Sequence, residues 1–356
     1  MNNFLGQDGF IWFVGVVEDR TDPTFTGRVR IRCLGYHTED KVQLPTSDLP
    51  WAMPLLPITS SGISGIGQSP LGLVEGSWVF GFFRDADNLQ EPVVMGSLPG
   101  RPIEEAGDTG FYDPNKIFPR HISEPDVNRL AVNNEDNPHL GLELRKATRI
   151  TGLATADFDA DTAADASTIT ASDTDTWDQP EIAYASQYPN NHVYESESGH
   201  VLEFDDTSTA ERIHLYHKTG SSFEYNPNGD RVQIIKGIDY KLTSSHNLVN
   251  IEGRSDISIG GRHKIYINKN GAENNNYDIQ VGPNANINIQ VDTGDINLVT
   301  KQGKVNVNSA GDYNVKVGGN YTMTVAGNRN ITTDGTTTDN TTGAVTHRGS
   351  TIDLNP

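Results

Sequence analysis

A single cysteine, Cys33, stands in a chain of 356 residues, which excludes an intrachain disulfide framework. The run RVRIRCLGY around it alternates apolar and polar residues, so Cys33 reads as a small apolar residue of a buried strand. Apolar residues are scarce throughout, at 35% of the chain, against roughly 45–50% in ordinary globular chains on a count that includes glycine. No run approaches the ~18 apolar residues of a membrane-crossing helix. The opening MNNFLGQDGF lacks the basic and apolar regions of a secretory signal, so the expected product is made in the cytoplasm. It then stays soluble or leaves by a route other than secretion. Positive charge is also in short supply, with 27 Lys and Arg against 47 Asp and Glu, a net charge of −20. That balance argues against nucleic acid or an anionic membrane as the main ligand.

What the chain does have is short strands and turns. Residues 1–100 read as a compact all-β unit. FIWFVGVVEDR and RVRIRCLGY flank the turn-rich TDPTFTG, and SWVFGFFRDADNLQEPVVMGSLPG adds two strands around a polar turn. Strands at this spacing suggest a small barrel or sandwich. RVRIR sets Arg28, Arg30 and Arg32 on one strand face and Val29, Ile31 and Cys33 on the other. The arginines fit either a solvated barrel face or a docking surface for an acidic partner. Residues 101–191 change character: ATADFDADTAADASTITASDTDTWDQP is too poor in apolar residues to pack, and reads as an extended or disordered linker. Asp157, Asp159 and Asp161 imitate a calcium loop, but Thr162 and Thr168 replace its glycine and glutamate, which favours a by-product of composition.

From 192 to 356 the chain is strand and turn, with an internal period. Gly229, Gly237, Gly253 and Gly261 fit one octad phase, with Ser245 in the missing place; Gly303, Gly311, Gly319, Gly327, Gly335 and Gly343 fit a second. NKNGAENNNYD lies between them as an insertion that shifts the register. Apolar side chains cluster two, four and six residues after the glycine: Ile257/Ile259, Ile265/Ile267, Val305/Val307, Val315/Val317 and Met323/Val325. Six residues at about 3.3 Å each make a strand of ~20 Å, and glycine is expected to turn the chain at positive φ. Each strand has one thin apolar stripe, and eight residues are too few for one chain to close a solenoid. Three chains can close it together, each lending one strand per face of a triangular prism, with the apolar stripes meeting on the axis and every sheet edge paired. The octad therefore predicts an obligate homotrimer, an intertwined triple-stranded β-helix with Gly253, Gly261, Gly303, Gly311, Gly319, Gly327, Gly335 and Gly343 at its corners. An antiparallel meander is the alternative, but it does not require glycine at a fixed interval. In GTTTDNTTG only threonine stands at the expected inward positions; Val345, Ile352 and Leu354 then restore apolar character, which suggests a narrowing end with a small apolar tip at Ile352 and Leu354.

The N-terminal segments WFVGVVEDRTDPTFTGRVRIRCLGYH, LPWAMPLLPITSSGISGIGQSPLGLVEGSWVFGFF and PVVMGSLPG resemble the OB-fold domain of the baseplate hub spikes of T-even-type contractile phages. These are the tail-associated lysozyme proteins, relatives of the VgrG spikes of type VI secretion. GFYDPNKIFPR and YPNNHVYESESGHVLEFDDTSTAERIHLYHKTG continue the resemblance, which with the octads covers roughly 1–120 and 177–356. It implies an all-β chain with an N-terminal OB-fold barrel under a trimeric hub protein. It also implies a C-terminal spike with a PAAR-type cap at its tip, in a virion tail baseplate, passing transiently through the host outer membrane on sheath contraction. The acidic charge would help keep such a trimer soluble. The chain departs from the family in the interval where its relatives carry a helical lysozyme domain. That chemistry needs a general-acid Glu in an apolar pocket and a second carboxylate. Here Glu135, Glu143 and many Asp occur without amphipathic helices able to build a cleft, so no catalytic residue carries over. The resemblance implies a structural, non-enzymatic spike with no cofactor.

Other readings are weaker. SSGISGIGQSPLG lacks the Gly-Lys-Ser/Thr ending of a phosphate loop and reads as a loop between strands. His214 and His217 project from opposite strand faces and do not share a metal. His347 would meet its copies near the tip, but the paired histidines that hold iron in related short spikes are missing. Three Asn-x-Thr sequons at Asn320, Asn330 and Asn340 are by-products of the repeat. Two competing functions remain. One is a tail spike enzyme acting on carbohydrate or peptidoglycan. The other is a single-strand-binding OB protein using Trp12 and the three arginines, which the net charge disfavours.

Overall fold

The computed structural model describes residues 10–101, 125–132, 168–170, 176–178, 183–267 and 276–353. Five strands close a barrel: β1 (Ile11–Asp19), β2 (Val29–Cys33), β3 (Trp51–Pro54), β4 (Trp78–Phe83) and β5 (Pro92–Ser97), in the order β1-β2-β3-β5-β4 with β4 paired back to β1. β3 and β5 run parallel and the other neighbours antiparallel, the arrangement of an OB-type barrel. The period-two pattern of β1 turns Phe13 and Val17 inward onto Ile31, Ala52, Val79 and Phe83. Two glycines make the closure possible. A Cβ on Gly15 would lie 2.5 Å from Ile31 Cγ2, and one on Gly81 would lie 2.1 Å from the Val93 carbonyl oxygen. Cys33 is fully buried in this core, where burial pushes its thiol up to about 12.

The arginine face is neither solvated nor open for docking. Arg32 is buried with Glu18, its Nε 2.6 Å from Oε1, and it also donates to the carbonyls of Thr38 and Leu44. The β2–β3 connection folds over this pair, and the Thr46 hydroxyl adds a 2.7 Å bond to Glu18. Arg30 lies 4.4 Å from the Trp51 ring centroid and donates to the carbonyls of Ser47 and Leu49. Arg28 pairs with Asp22 at 2.8 Å. Two of these arginines therefore hold the barrel's long connection, and the third holds its first turn. Trp12 is engaged as well, stacked against Phe80 at 5.2 Å and Phe10 at 5.3 Å.

Asp22 organises the β1–β2 turn. Its carboxylate accepts from the amides and hydroxyls of Thr24 and Thr26 and from the Arg28 side chain. The Arg28 bond and the threonine bonds hold this carboxyl far below the usual carboxylate range. A depressed folded-state pKa contributes stability that is fully present above about pH 4, the ordinary value, and is lost as pH falls further. Asp22→Asn is expected to cost about 2 kcal/mol at neutral pH and to remove that part of the acid sensitivity. Urea titrations of both proteins at pH 7 and pH 3 check this; an equal acid loss in the two would exclude Asp22 as its source.

After the barrel, α1 (Arg129–Val132) and the paired strands β6 (Thr168–Thr170) and β7 (Thr176–Asp178) precede a second sheet. It is a five-stranded antiparallel meander of β8 (Asn191–Glu195), β9 (Val201–Asp205), β10 (Arg212–Tyr216), β11 (Ser222–Tyr225) and β12 (Arg231–Ile234). Leu130 packs on Val201 and Tyr216, with Tyr184 and Val193 beside them. Arg20, just after β1, joins the barrel to the β8–β9 hairpin, donating to both Glu197 oxygens at 2.8 Å and facing Glu75 at 3.3 Å.

By internal contacts the chain divides into two units, Met1–Lys264 and Ile265–Pro356. In each, the octads are extended segments separated by bends. The chain bends at all eight corner glycines, and equally at Ser244–Ser245, where the period continues without glycine. The expected positive φ is found at Gly229 but at none of the eight corners. These bends are made with ordinary backbone, which is why serine can stand in the register.

Candidate functional site: two unpaired apolar surfaces and a buried charge network

The meander β8–β12 carries opposite chemistry on its two faces. On one face Glu203, Asp205, Arg212, His214, Glu224 and Asn191 are buried. On the other Tyr194, Leu202, Phe204, Ile213, Leu215 and Tyr225 are exposed. The chain's own segments around Leu130 and Tyr184 cover the polar face. Leu130 offers its carbonyl to the Tyr184 hydroxyl at 2.6 Å and to Asn191 Nδ2 at 3.1 Å, while the Gln187 amide donates to the Thr207 hydroxyl. The period-two signal in VLEFDD and ERIHLYH is clear in the sequence. Nothing in it says that the polar face is the one the chain covers.

On the covered face, antiparallel register sets His214 opposite both Glu203 and Glu224. Arg212 bridges these carboxylates, with Nη2 2.9 Å from Glu203 and Nη1 3.1 Å from Glu224, and His214 Nδ1 lies 2.8 Å from Glu203. Burial pushes the Glu203 carboxyl up, but the bonds from His214 and Arg212 outweigh it and hold the group below its ordinary value. Tyr184 lies over Arg212, 5.1 Å from ring centroid to guanidinium carbon, and its own hydroxyl is raised by burial beside Glu203. This is a buried ionic network covered by the chain's own segments. His217, outside the network, lies beside His200 with the rings tilted by 46° and their centroids 4.5 Å apart.

The second surface is the octad ladder. Every described residue from 235 to 353 is exposed. That includes Ile257, Ile259, Ile265, Ile267, Val305, Val307, Val315, Val317, Met323, Val325 and Ile352. Leu354, Glu135, Glu143 and the calcium-like Asp157–Asp161 run lie outside the described residues. Among the described residues, none after Ile234 belongs to a β-strand. Charge is also divided along the chain. Residues 236–356 hold 11 of the 27 basic and 11 of the 47 acidic residues, so the whole net charge of −20 belongs to residues 1–235. The repeats are neutral, and the acidic surplus lies outside them.

A closed OB-type barrel, a meander with an open apolar face and a long run of exposed octads define an all-β repeat protein. The sequence matches a family model for the Gp5 N-terminal OB domain over residues 35–187, and one for the Gp5 C-terminal repeat in three copies over residues 311–334. It is 38% identical over 296 residues to protein Gp5 of Vibrio phage KVP40, covering 75% of this chain and 67% of that one. Over 130 residues it is 42% identical to the pre-baseplate central spike protein Gp5 of Enterobacteria phage T4, covering 35% of this chain and 22% of that protein. The chain belongs to the Gp5 family. It spans about two thirds of the KVP40 relative, and its match to the T4 protein covers less than a quarter of that protein.

Proposed function

We infer that this chain is the structural central spike of a contractile phage tail baseplate, working as a homotrimer. One observation carries the reading: the described residues from 235 to 353 are extended and exposed, the apolar octad positions included. Backbone amides and carbonyls are obligatory hydrogen-bonding groups, and contiguous apolar stripes of this length are rare on monomers. Two further copies satisfy both needs. They pair the strand edges and bring Ile257, Ile259, Ile265, Ile267, Val305, Val307, Val315, Val317, Met323 and Val325 onto a common axis. The open face of β8–β12 continues the same demand, since its apolar side has no cover from its own chain. The divided domain plan follows: a barrel head over 1–100, an interval over 101–191 and a spike over 192–356.

In the tail, the barrel end seats on a trimeric hub protein. A PAAR-type cap covers the tip at Ile352 and Leu354, and sheath contraction drives the spike through the host outer membrane. A neutral shaft suits that passage, because it neither adheres to nor is repelled by charged lipid headgroups. The spike acts without an enzyme activity, cofactor or nucleic-acid ligand. The purified full chain is expected to leave overlays of peptidoglycan and of capsular polysaccharide uncleared. Reproducible clearing would instead establish the spike as a carbohydrate- or peptidoglycan-degrading enzyme.

A further inference from the structure

The polar face of the meander holds three buried side chains, each with one polar atom that its own network leaves without a partner. Asn191, Asp205 and Arg212 stand in one row, register partners across β8, β9 and β10. Each is at most 4% exposed. Asn191 Nδ2 donates to the Leu130 carbonyl at 3.1 Å and to Glu203 Oε1 at 3.0 Å. Turning the amide over would set its oxygen against both acceptors, so its orientation is fixed and Oδ1 is left with no donor. Asp205 Oδ1 accepts from the Thr207 amide at 3.0 Å, and Oδ2 has no donor. Arg212 directs Nη1 to Glu224 and Nη2 to Glu203, and its Nε–H has no acceptor. Buried polar groups are paired in nearly all native structures, so three in one row indicate a common partner.

We propose that Asn191, Asp205 and Arg212 form a built-in binding site for one small neutral molecule, a single water. It donates one hydrogen to Asp205 Oδ2 and one to Asn191 Oδ1, and accepts from Arg212 Nε. The inventory of donors and acceptors selects this ligand. A metal ion suits the two oxygens but meets the guanidinium and its N–H, and an anion meets the Asp205 carboxylate. An ammonium ion has no lone pair for Nε–H. Water supplies two hydrogens and a lone pair from one heavy atom, and buried waters typically make about three such bonds. The site ties the start of β8, the end of β9 and the start of β10. Asn191 also holds Leu130, and the Thr207 that holds Asp205 also holds Gln187. Occupancy therefore locks the segments around Leu130 and Tyr184 onto the polar face. The inference rests on the geometry within one chain and does not depend on how many copies assemble.

High-resolution crystal structures of the full chain, native and Asp205→Asn, test it. The native map is expected to show one oxygen-sized peak about 2.7–3.2 Å from all three atoms. In D205N the introduced amide donates directly to Asn191 Oδ1. The peak should vanish there while the Glu203–Arg212–His214 bonds remain. A native map with no peak, with the three groups bonded to one another, or with a peak about 2.3–2.4 Å from the oxygens, as for a metal ion, overturns the proposal. So does a D205N map that keeps the peak unchanged. If D205N does not fold, the native map alone decides.

Discussion

Val315→Asp is expected to abolish assembly of the spike. Val315 stands four residues after Gly311, in the column that also holds Ile257, Ile265, Val307 and Met323. In a homotrimer this substitution places three carboxylates at one level of the axis. Each unpaired buried charge costs several kcal/mol, and three at close range repel one another besides. No neighbouring cation shares that face, because Lys316 points the other way. The expected product is monomeric or aggregated, with no trimer in sedimentation. Asn314→Asp puts the same charge on the adjacent outward position and should assemble normally, within about 0.5 kcal/mol of native stability. Equal damage at both positions would mean that the faces are misassigned. Normal assembly of V315D would mean that Val315 is not on the axis.

Arg212→Leu is expected to be the most damaging single change in the meander. It leaves Glu203 and Glu224 buried without their shared cation, 2.9 and 3.1 Å from where the guanidinium lay. Removing one partner of a buried ion pair typically costs about 3–5 kcal/mol, and a loss of that size per chain is expected here. Replacing the charges together is a different matter. Arg212→Met combined with Glu203→Gln and Glu224→Gln removes both the cation and the anions it served. That triple variant should recover most of the loss, since neutral replacements of buried ionic groups are often nearly harmless. Thermal melts of the two variants beside the native chain make the comparison. A triple variant as unstable as R212L would show that the damage comes from lost packing against Tyr184 and not from stranded charge.

Much of this architecture can be read before any coordinates. Four of the five barrel strands, β1, β2, β4 and β5, follow from alternation and turn residues, while the short β3 was not legible as a strand, and Cys33 is buried as its neighbours imply. The octad period is visible in the glycines, and Ser245 keeps its place as a bend. What escaped was which groups meet. Arg28, Arg30 and Arg32 alternate like a solvent face, yet they meet Asp22, Trp51 and Glu18 because the β1–β2 register and the β2–β3 connection bring those partners over them. The buried network was hidden for the same reason. Glu203, Arg212, His214 and Glu224 lie on three strands, and only their pairing makes one cluster of them. The alternation of VLEFDD is equally consistent with either face being covered. The covering residues, Leu130 and Tyr184, are distant in sequence and sit in a composition that reads as linker.

The corner glycines teach a similar lesson. Their regular spacing suggested a left-handed backbone, but none of the eight corners uses one, and most have open space where a Cβ would stand. Within one chain, then, nothing at most of these corners demands glycine. In a homotrimeric prism the demand would come from neighbouring strands approaching at each corner. The same logic accounts for the neutral charge of residues 236–356. In a homotrimer, backbone pairing and apolar packing between copies would hold the shaft, and charge would contribute to neither.

The most direct test of the central claim is the mass of the native full-length particle, by sedimentation or native mass spectrometry, across a wide dilution range. The homotrimer account predicts three chain masses at every concentration, because interwound strands separate only by unfolding. A stable single-chain species whose residues 276–353 stay protected from hydrogen exchange would contradict it, since the octads would then be paired without a partner.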